Sequence, residues 1–512
     1  MMTMPTPTDQ IATDGPRADW RGWAALVVLM LPVLLVSMDN TILNFALPAI
    51  ARDLEPSSIE QLWIIDAYSL VLAGLLVTAG SLGDRLGRRR ILLIGAVGFT
   101  LVSGAAVFAP TAGWLIAARA GMGVFGAALM PSTMSLLRST FRQRDQRRVA
   151  IAAWSGMFAA GGALGPIVGG LLIEHFPWQS VFLLAVPILV LMLILAPVFV
   201  KESRDPRPGP IDGWGILLSM LALAPLAYGI KEVAVAGWIG AAPLAVGLVF
   251  GWLFIRRQRR IPHPMLDMSL FRRPKFSGSL AVNLCCIMAY IGFLYFVSQH
   301  LQLVVGLTPM WAGIALIPGA VMSIASGFIV TPIARRFPAS RVVPATLVLA
   351  VAGLVLVAVA GAHDLTALVV AFVLMGAGTG AAQTVSGELI ISSAPPEKAG
   401  AASAISETAY EFGAVLGTSI LGGILTAWYR AALVIPPGVP ADISAEAQET
   451  LAGAVNGAEE IGGALGDALR QAATSAFDGG VVVTSLIGAA LLVIASGVAA
   501  ATLGRSRSQA SR

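Results

Sequence analysis

Gly80-Ser81-Leu82-Gly83-Asp84-Arg85-Leu86-Gly87-Arg88-Arg89-Arg90-Ile91-Leu92 joins two apolar runs. The glycines permit a tight turn and a close approach of two helices. Asp84 is expected near the start of the following helix, where a carboxylate meets free N–H groups. The arginines suit an anionic headgroup surface. On physical grounds this is a well-anchored turn between two membrane-spanning helices.

The rest of the chain extends that reading. Of its 512 residues, 57% are apolar and only 12% are charged, roughly half the charge of a soluble protein. Fourteen apolar spans are expected near 23–47, 61–82, 91–109, 114–137, 150–173, 180–200, 213–230, 238–255, 276–301, 309–333, 342–361, 365–391, 400–428 and 481–503. The fold class is therefore an all-α integral membrane protein. The alternating strands of a barrel are absent. The first residues, with Pro5, Pro7 and Pro16, read as a short tail before a retained first helix. Cys285-Cys286 are adjacent within a span, which gives no metal spacing and no framework disulfide. No metal or cofactor is expected.

An even span count puts both termini on one side. With that side inside, 28 of the 33 Lys and Arg fall in inside segments and four outside; Arg119 falls within a span. The asymmetry indicates cytoplasmic termini in a multi-pass cell-membrane protein. Cations distributed this way form no nucleic-acid patch. The longest outside segment, about 430–476, carries Ile443, Ala447, Leu451 and Val455 at helical spacing. It is expected to form a short amphipathic helix or hairpin.

The Gly80–Leu92 pattern resembles the signature turn of the major facilitator superfamily at nearly every position, with Gly80, Asp84, Arg85, Gly87 and Arg88 at its key places. Gly161, Gly165, Pro166, Gly169 and Gly170 resemble the antiporter motif of its drug exporters. Asp39 to Pro48 resembles the first-span motif of the fourteen-span drug:proton antiporters. Arg119 with Gly123 and Gly126 resembles the span-four arginine motif, with Met122 where glutamine is common. Trp63 to Gly74 and Ser406 to Glu411 are similar to stretches of the actinobacterial fluoroquinolone and quaternary-ammonium pumps and of the enterobacterial methyl viologen exporters. The resemblance implies two six-helix halves, 23–200 and 276–503. Two inserted helices lie between them within 201–275, and tails occupy 1–22 and 504–512. It also implies proton-coupled export of lipophilic cations such as quaternary ammonium compounds, ethidium-like dyes and fluoroquinolones, by a monomer amid membrane lipids.

Physics singles out the same acids. Glu407 and Glu411 lie four apart inside a span and share one helix face. A charge at a span's centre costs at least ~2.5–3.5 kcal/mol, so the pair needs water, a proton or a cation. Proton and organic cation would compete for one site, the minimum chemistry of antiport. Asp39 reads either as part of a cavity or as a hydrogen-bonded strut. Asp66 reads as a site or a rim charge near its helix start. Arg119 is a fixed charge, expected to partner Asp39 or Asp66. Glu388 reads as interfacial, and His300 and Gln299 as structural. Asn44, Tyr68, Trp154, Phe158, Tyr290, Phe293 and Tyr410 are candidate cavity residues for a flat cation. Tyr410 and Phe412 point partly off the acid face.

The chain has no Gly-Lys-Ser/Thr, which argues against a P-loop pump. Its four histidines offer no catalytic constellation, so a transporter is expected rather than an enzyme. An exporter of an endogenous metabolite or lipid and a non-transporting receptor remain alternatives on this fold. The sharpest expectation is a divided pathway. Glu407 and Glu411 meet cargo and proton from inside, and the Asp39 region communicates with the outside. It requires Glu411 to face a central cavity.

Overall fold

The computed structural model describes residues 17–204, 212–236, 240–262, 264, 266–360, 364–394 and 399–504. Pro5, Pro7, Pro16, Arg207, Lys398 and the cations of the C-terminal tail lie outside them. The described residues form helices and contain no strand.

The first half comprises α1 (Trp20–Leu54), α2 (Ser58–Leu86), α3 (Arg88–Ala106), α4 (Ala112–Gly126), α5 (Leu129–Thr140), α6 (Arg144–His175), α7 (Ser180–Leu183) and α8 (Ala185–Phe199). Asp19 caps α1 by accepting from the Gly22 N–H at 3.0 Å. Ser57 and Glu60 form a reciprocal capping box at the start of α2. Spans four and six are each interrupted. The breaks at Ala127–Ala128 and Leu184 fall just before Pro131 and Pro187. Each proline removes the N–H that would bond the carbonyl four residues back.

An antiparallel pair follows: α9 (Gly213–Ala236) and α10 (Ala241–Gln258). The two pack on one another, and α9 also touches α2. Asp212 ties them together, accepting from Arg257 Nη2 at 2.7 Å and from Gln258 Nε2 at 2.9 Å. Thirteen helices among the described residues are long and apolar enough to cross a membrane. The expected eighth span is α10, which falls short because its last turn is Arg256-Arg257-Gln258.

The second half comprises α11 (Pro274–Gln299), α12 (Pro309–Arg336), α13 (Ala339–Ala360), α14 (Leu365–Ser393), α15 (Ala399–Leu416), α16 (Gly423–Ala432), α17 (Ala441–Glu449), α18 (Leu451–Ile461) and α19 (Gly463–Thr502). Wide π turns at His300–Val304 and Gly417–Gly422 follow α11 and α15. The last helix starts at Gly463, so the long connector is shorter than the sequence suggests. Within it α17 and α18 make a helical hairpin that buries Ile443, Ala447, Leu451 and Val455. Thr450 breaks the pair and caps α18.

The core is continuous and apolar. Large apolar side chains such as Phe328 and Val359 are also fully outward, as expected of surface that meets lipid. Cross-half polar contacts occur at the face opposite the arginine turn. Thr308 Oγ1 donates to Glu174 Oε2 at 2.9 Å, and Gln302 Nε2 to the Phe45 carbonyl at 3.3 Å. Ser58 donates to the Glu449 carbonyl.

Candidate functional site

The arginine turn is built differently from the sequence expectation. Asp84 ends α2 and pairs with Arg88 Nη2 at 2.8 Å. The free N–H groups of α3 go instead to the 202–203 segment, the Arg88 N–H to the Ser203 carbonyl at 3.0 Å and the next two to Glu202. Its Oε1 accepts from the Arg89 N–H at 2.9 Å and its Oε2 from the Arg90 N–H at 3.3 Å. Asp84 cannot reach them because it still lies within a helical turn, four residues before Arg88. Gly87 has φ +111°, and a Cβ there would meet the Glu202 carboxylate at 2.7 Å, so glycine is required. Gly80 lies against Pro131, and Arg85 is exposed.

Gly161, Gly165 and Gly169 face α1, at Leu34–Ser37, Met38–Thr41 and Ile42. Pro166 deprives the Gly162 carbonyl of its helical donor. Thr41 Oγ1 supplies a replacement at 3.2 Å. Gly170 lies against the Pro309–Met310 backbone. The motif thus closes α6 onto both α1 and α12.

Arg119 is 1% exposed. Its Nη1 donates to Asp39 Oδ2 at 2.6 Å and its Nε to the Ile64 carbonyl at 3.1 Å. The guanidinium lies 4.7 Å from the Tyr68 ring centroid, within cation–π range. Gly123 allows the close approach, since a Cβ there would press on the Tyr68 carbonyl at 2.6 Å. Asp66 is 1% exposed and accepts from Ser419 Oγ at 3.0 Å. It is therefore no rim charge. Ser419 lies in the second π turn, which brings it across from the other half. Asp39, Asp66 and Arg119 border one small enclosed cavity of about 10 Å³ with Asn40, Ser69 and Tyr410.

Ala402 and Ile405 anchor the start of α15 against Phe276 and Ile390. The helix then presents Glu407 and Glu411 to a cavity of about 150 Å³ between the halves. Glu411 is 5% exposed, and its Oε1 accepts from Asn40 Nδ2 at 3.3 Å. Its other oxygen, Oε2, is buried with no hydrogen-bond partner among the described residues. Trp154, Phe158 and Tyr410 form the aromatic wall. Trp154 stacks on Phe158 at 6.3 Å and 9°, and Phe158 meets Tyr410 edge-on at 5.7 Å and 75°. A second cavity of about 150 Å³ continues past Phe158, Gln383 and Tyr410 to Ser37, Tyr290 and Ser323, and no acid among the described residues borders it.

Tyr410 thus borders the same cavity as the acids, because that cavity wraps around the helix. Three candidates border none of the three cavities. Asn44 bonds back to the Thr41 carbonyl at 3.5 Å. Tyr68 is fully buried beneath Arg119. Phe293 stacks on Phe372 at 5.5 Å. Glu388 is exposed. His300, 1% exposed, places Nδ1 3.1 Å from Asp478 Oδ1. Asp478 was missed because α19 begins well before its apolar run. Asn40, Ser419 and Glu202 were missed as partners, and Ser69 and Gln383 as lining residues. Only Asn40 carried a signal, as a polar neighbour of Asp39 inside a span.

Comparison with known proteins agrees with this architecture. The Multidrug efflux pump LfrA of Mycolicibacterium smegmatis is 50% identical over 94% of this chain and 96% of its own. The Methyl viologen resistance protein SmvA of Salmonella typhimurium is 35% identical over 94% and 98%. A bacterial homolog of the human lysosomal transporter Spinster, solved inward-facing and unoccupied, superposes with a TM-score of 0.63. It has 19% identity and covers 94% of this chain and 98% of its own. The Major Facilitator Superfamily description matches residues 29–418. With that match and relatives of this identity spanning nearly its whole length, the chain belongs to the major facilitator superfamily.

Proposed function

We propose that this protein is a proton-coupled multidrug exporter of lipophilic organic cations. Quaternary ammonium compounds, ethidium-like dyes and fluoroquinolones leave the cell in exchange for inward protons. The observation that carries this is the placement of Glu407 and Glu411 on an aromatic-walled cavity between the halves. Carboxylates in such a site neutralise a cation's charge, and the aromatic faces accept its apolar body. A proton and a cation compete for the same oxygens, so loading one releases the other. The names of the relatives, a multidrug efflux pump and a methyl viologen resistance protein, support the same cargo class.

The arginine turn and both termini face the cytoplasm in this reading, in keeping with the charge asymmetry. The cross-half contacts at the opposite face then close the outer side. Cargo enters the acidic cavity from the cytoplasm or inner leaflet. The protein acts as a monomer in the cell membrane, with six-helix halves at 23–200 and 276–503 moving about the central cavity. Exchange of one proton for one monocation is electroneutral and is driven by the pH gradient, at ~1.4 kcal/mol per pH unit.

The test is ethidium efflux from loaded cells. Wild type should extrude dye only while a proton gradient stands, and a protonophore should stop it. Glu407→Gln and Glu411→Gln should insert normally and fail to extrude. Efflux that survives the protonophore but stops on nucleotide depletion would overturn the proposal.

A further inference from the structure

Three cavities between the helices meet at one side chain. Tyr410 borders the acidic cavity of Glu407 and Glu411, the neutral cavity beyond Gln383, and the enclosed cavity of Asp39, Asp66 and Arg119. No other described residue borders all three of these cavities. Its ring is carried by α15 of the second half, and its contact with Phe158 reaches α6 of the first half. The wall is therefore built from both halves. Glu411, the next residue, instead reaches Asn40, which itself borders the enclosed cavity.

We propose that Tyr410 is the partition between the cargo chamber and the Asp39–Asp66–Arg119 chamber, leaving the Glu411–Asn40 contact as the link that couples proton to cargo. This deepens the exchange reading above and rests on it. Coupling requires that no proton cross without cargo, so the two chambers must not share a continuous file of water. An aromatic ring fills the junction and offers no charge to carry a proton. Without the ring, the junction has room for several waters at about 30 Å³ each. Water would then reach the Arg119–Asp39 pair, whose 2.6 Å contact is made by side chains only 2% and 11% exposed. Because Phe158 belongs to the opposite half, the wall is undone when the halves separate. Passage is thereby tied to the conformational cycle. Tyr410 acts here as a positioning residue for coupling, distinct from the acids that meet cargo.

The experiment uses the full chain in proteoliposomes that enclose a pH-sensitive dye. Proton entry is read under an imposed pH gradient, first without cargo and then with ethidium outside the binding-saturated range. Tyr410→Ala should raise cargo-free proton entry about tenfold, as expected when a site no longer excludes water. Its ethidium binding should weaken as well, because Tyr410 is one of the three rings of the cargo wall, and the cargo-free leak is read apart from that loss. Tyr410→Phe should stay as tight as wild type, because the ring and not the hydroxyl forms the wall. Should Tyr410→Ala fail to fold, Tyr410→Leu takes its place in the same measurement. A folded variant that moves dye slowly but leaks no protons would overturn the partition. So would a Tyr410→Phe variant that leaks as much as the smaller side chain. The leak is read without cargo, so it tests the wall alone. A wild type that moves dye without protons would instead overturn the exchange reading.

Discussion

Replacing Arg119 by alanine removes the buried cation and leaves Asp39 with no charge opposite it. Arg119 is 1% exposed, donates to Asp39 at 2.6 Å and to the Ile64 carbonyl at 3.1 Å, and lies over Tyr68. Breaking a buried pair by removing one partner costs about 3–5 kcal/mol, because the remaining charge stays desolvated. That is roughly two to three and a half powers of ten in the unfolding equilibrium. Replacing the whole pair by apolar residues of similar size is often close to neutral. Arg119→Met combined with Asp39→Leu should therefore cost less than Arg119→Ala alone. The assay is equilibrium unfolding of purified protein by SDS in mixed micelles, run on both variants and on each single change. The cycle should show favourable coupling of at least about 2 kcal/mol between the two positions. If Arg119→Ala costs under about 1 kcal/mol, or if the two single costs simply add, the pair is not the desolvated strut described here.

Two further outcomes follow from the packing. Gly165→Val places a side chain against Thr41 and against the Met38 carbonyl at 3.0 Å. It should lower stability by about 1–3 kcal/mol through overpacking. Gly113→Ala, with nothing within 4 Å, should not, and the same SDS titration reads both. Asp212, outside the spans, should make stability depend on pH. Burial alone would raise its carboxyl, but hydrogen bonds from Arg257, the Gly215 N–H and Gln258 outweigh it and hold the group below the usual carboxylate range. A depressed group stabilises above its unfolded value and loses that contribution as pH falls through its folded value. Asp212→Asn should thus be less stable than wild type at neutral pH, and the gap should close below about pH 4. A gap that widens on acidification would contradict the assignment.

The membrane-spanning plan was legible because it is written in hydropathy and in the placement of cations, both local properties. The turn at Gly80–Leu92 and the glycine face of α6 were legible for the same reason. A fixed spacing of small residues implies a close contact whatever the neighbour is. The breaks in spans four and six were signalled by Pro131 and Pro187, but a hydropathy window averages over a single missing hydrogen bond. The early start of α19 was hidden because Gly463 to Gln471 is polar enough to read as a connector, although it is helical. At the candidate site, the acids and Arg119 stood out as charges in apolar runs. Their partners did not. Ser419 is an ordinary polar residue until tertiary packing brings it beside Asp66, and Ser69 and Gln383 until packing sets them on the cavities. Glu202 caps α3 from more than a hundred residues away, so the nearer Asp84 was the natural but mistaken choice.

In the proposed function, Glu407 and Glu411 exchange a proton for a cation in one cavity. The direct measurement is the proton movement that accompanies ethidium transport in proteoliposomes with no gradient imposed. Wild type should release protons from the lumen as dye enters and take them up as dye leaves, in a fixed ratio. Glu407→Gln and Glu411→Gln should each reduce or abolish that counterflow at unchanged protein insertion. Dye movement in either variant with the wild-type proton ratio would contradict the account.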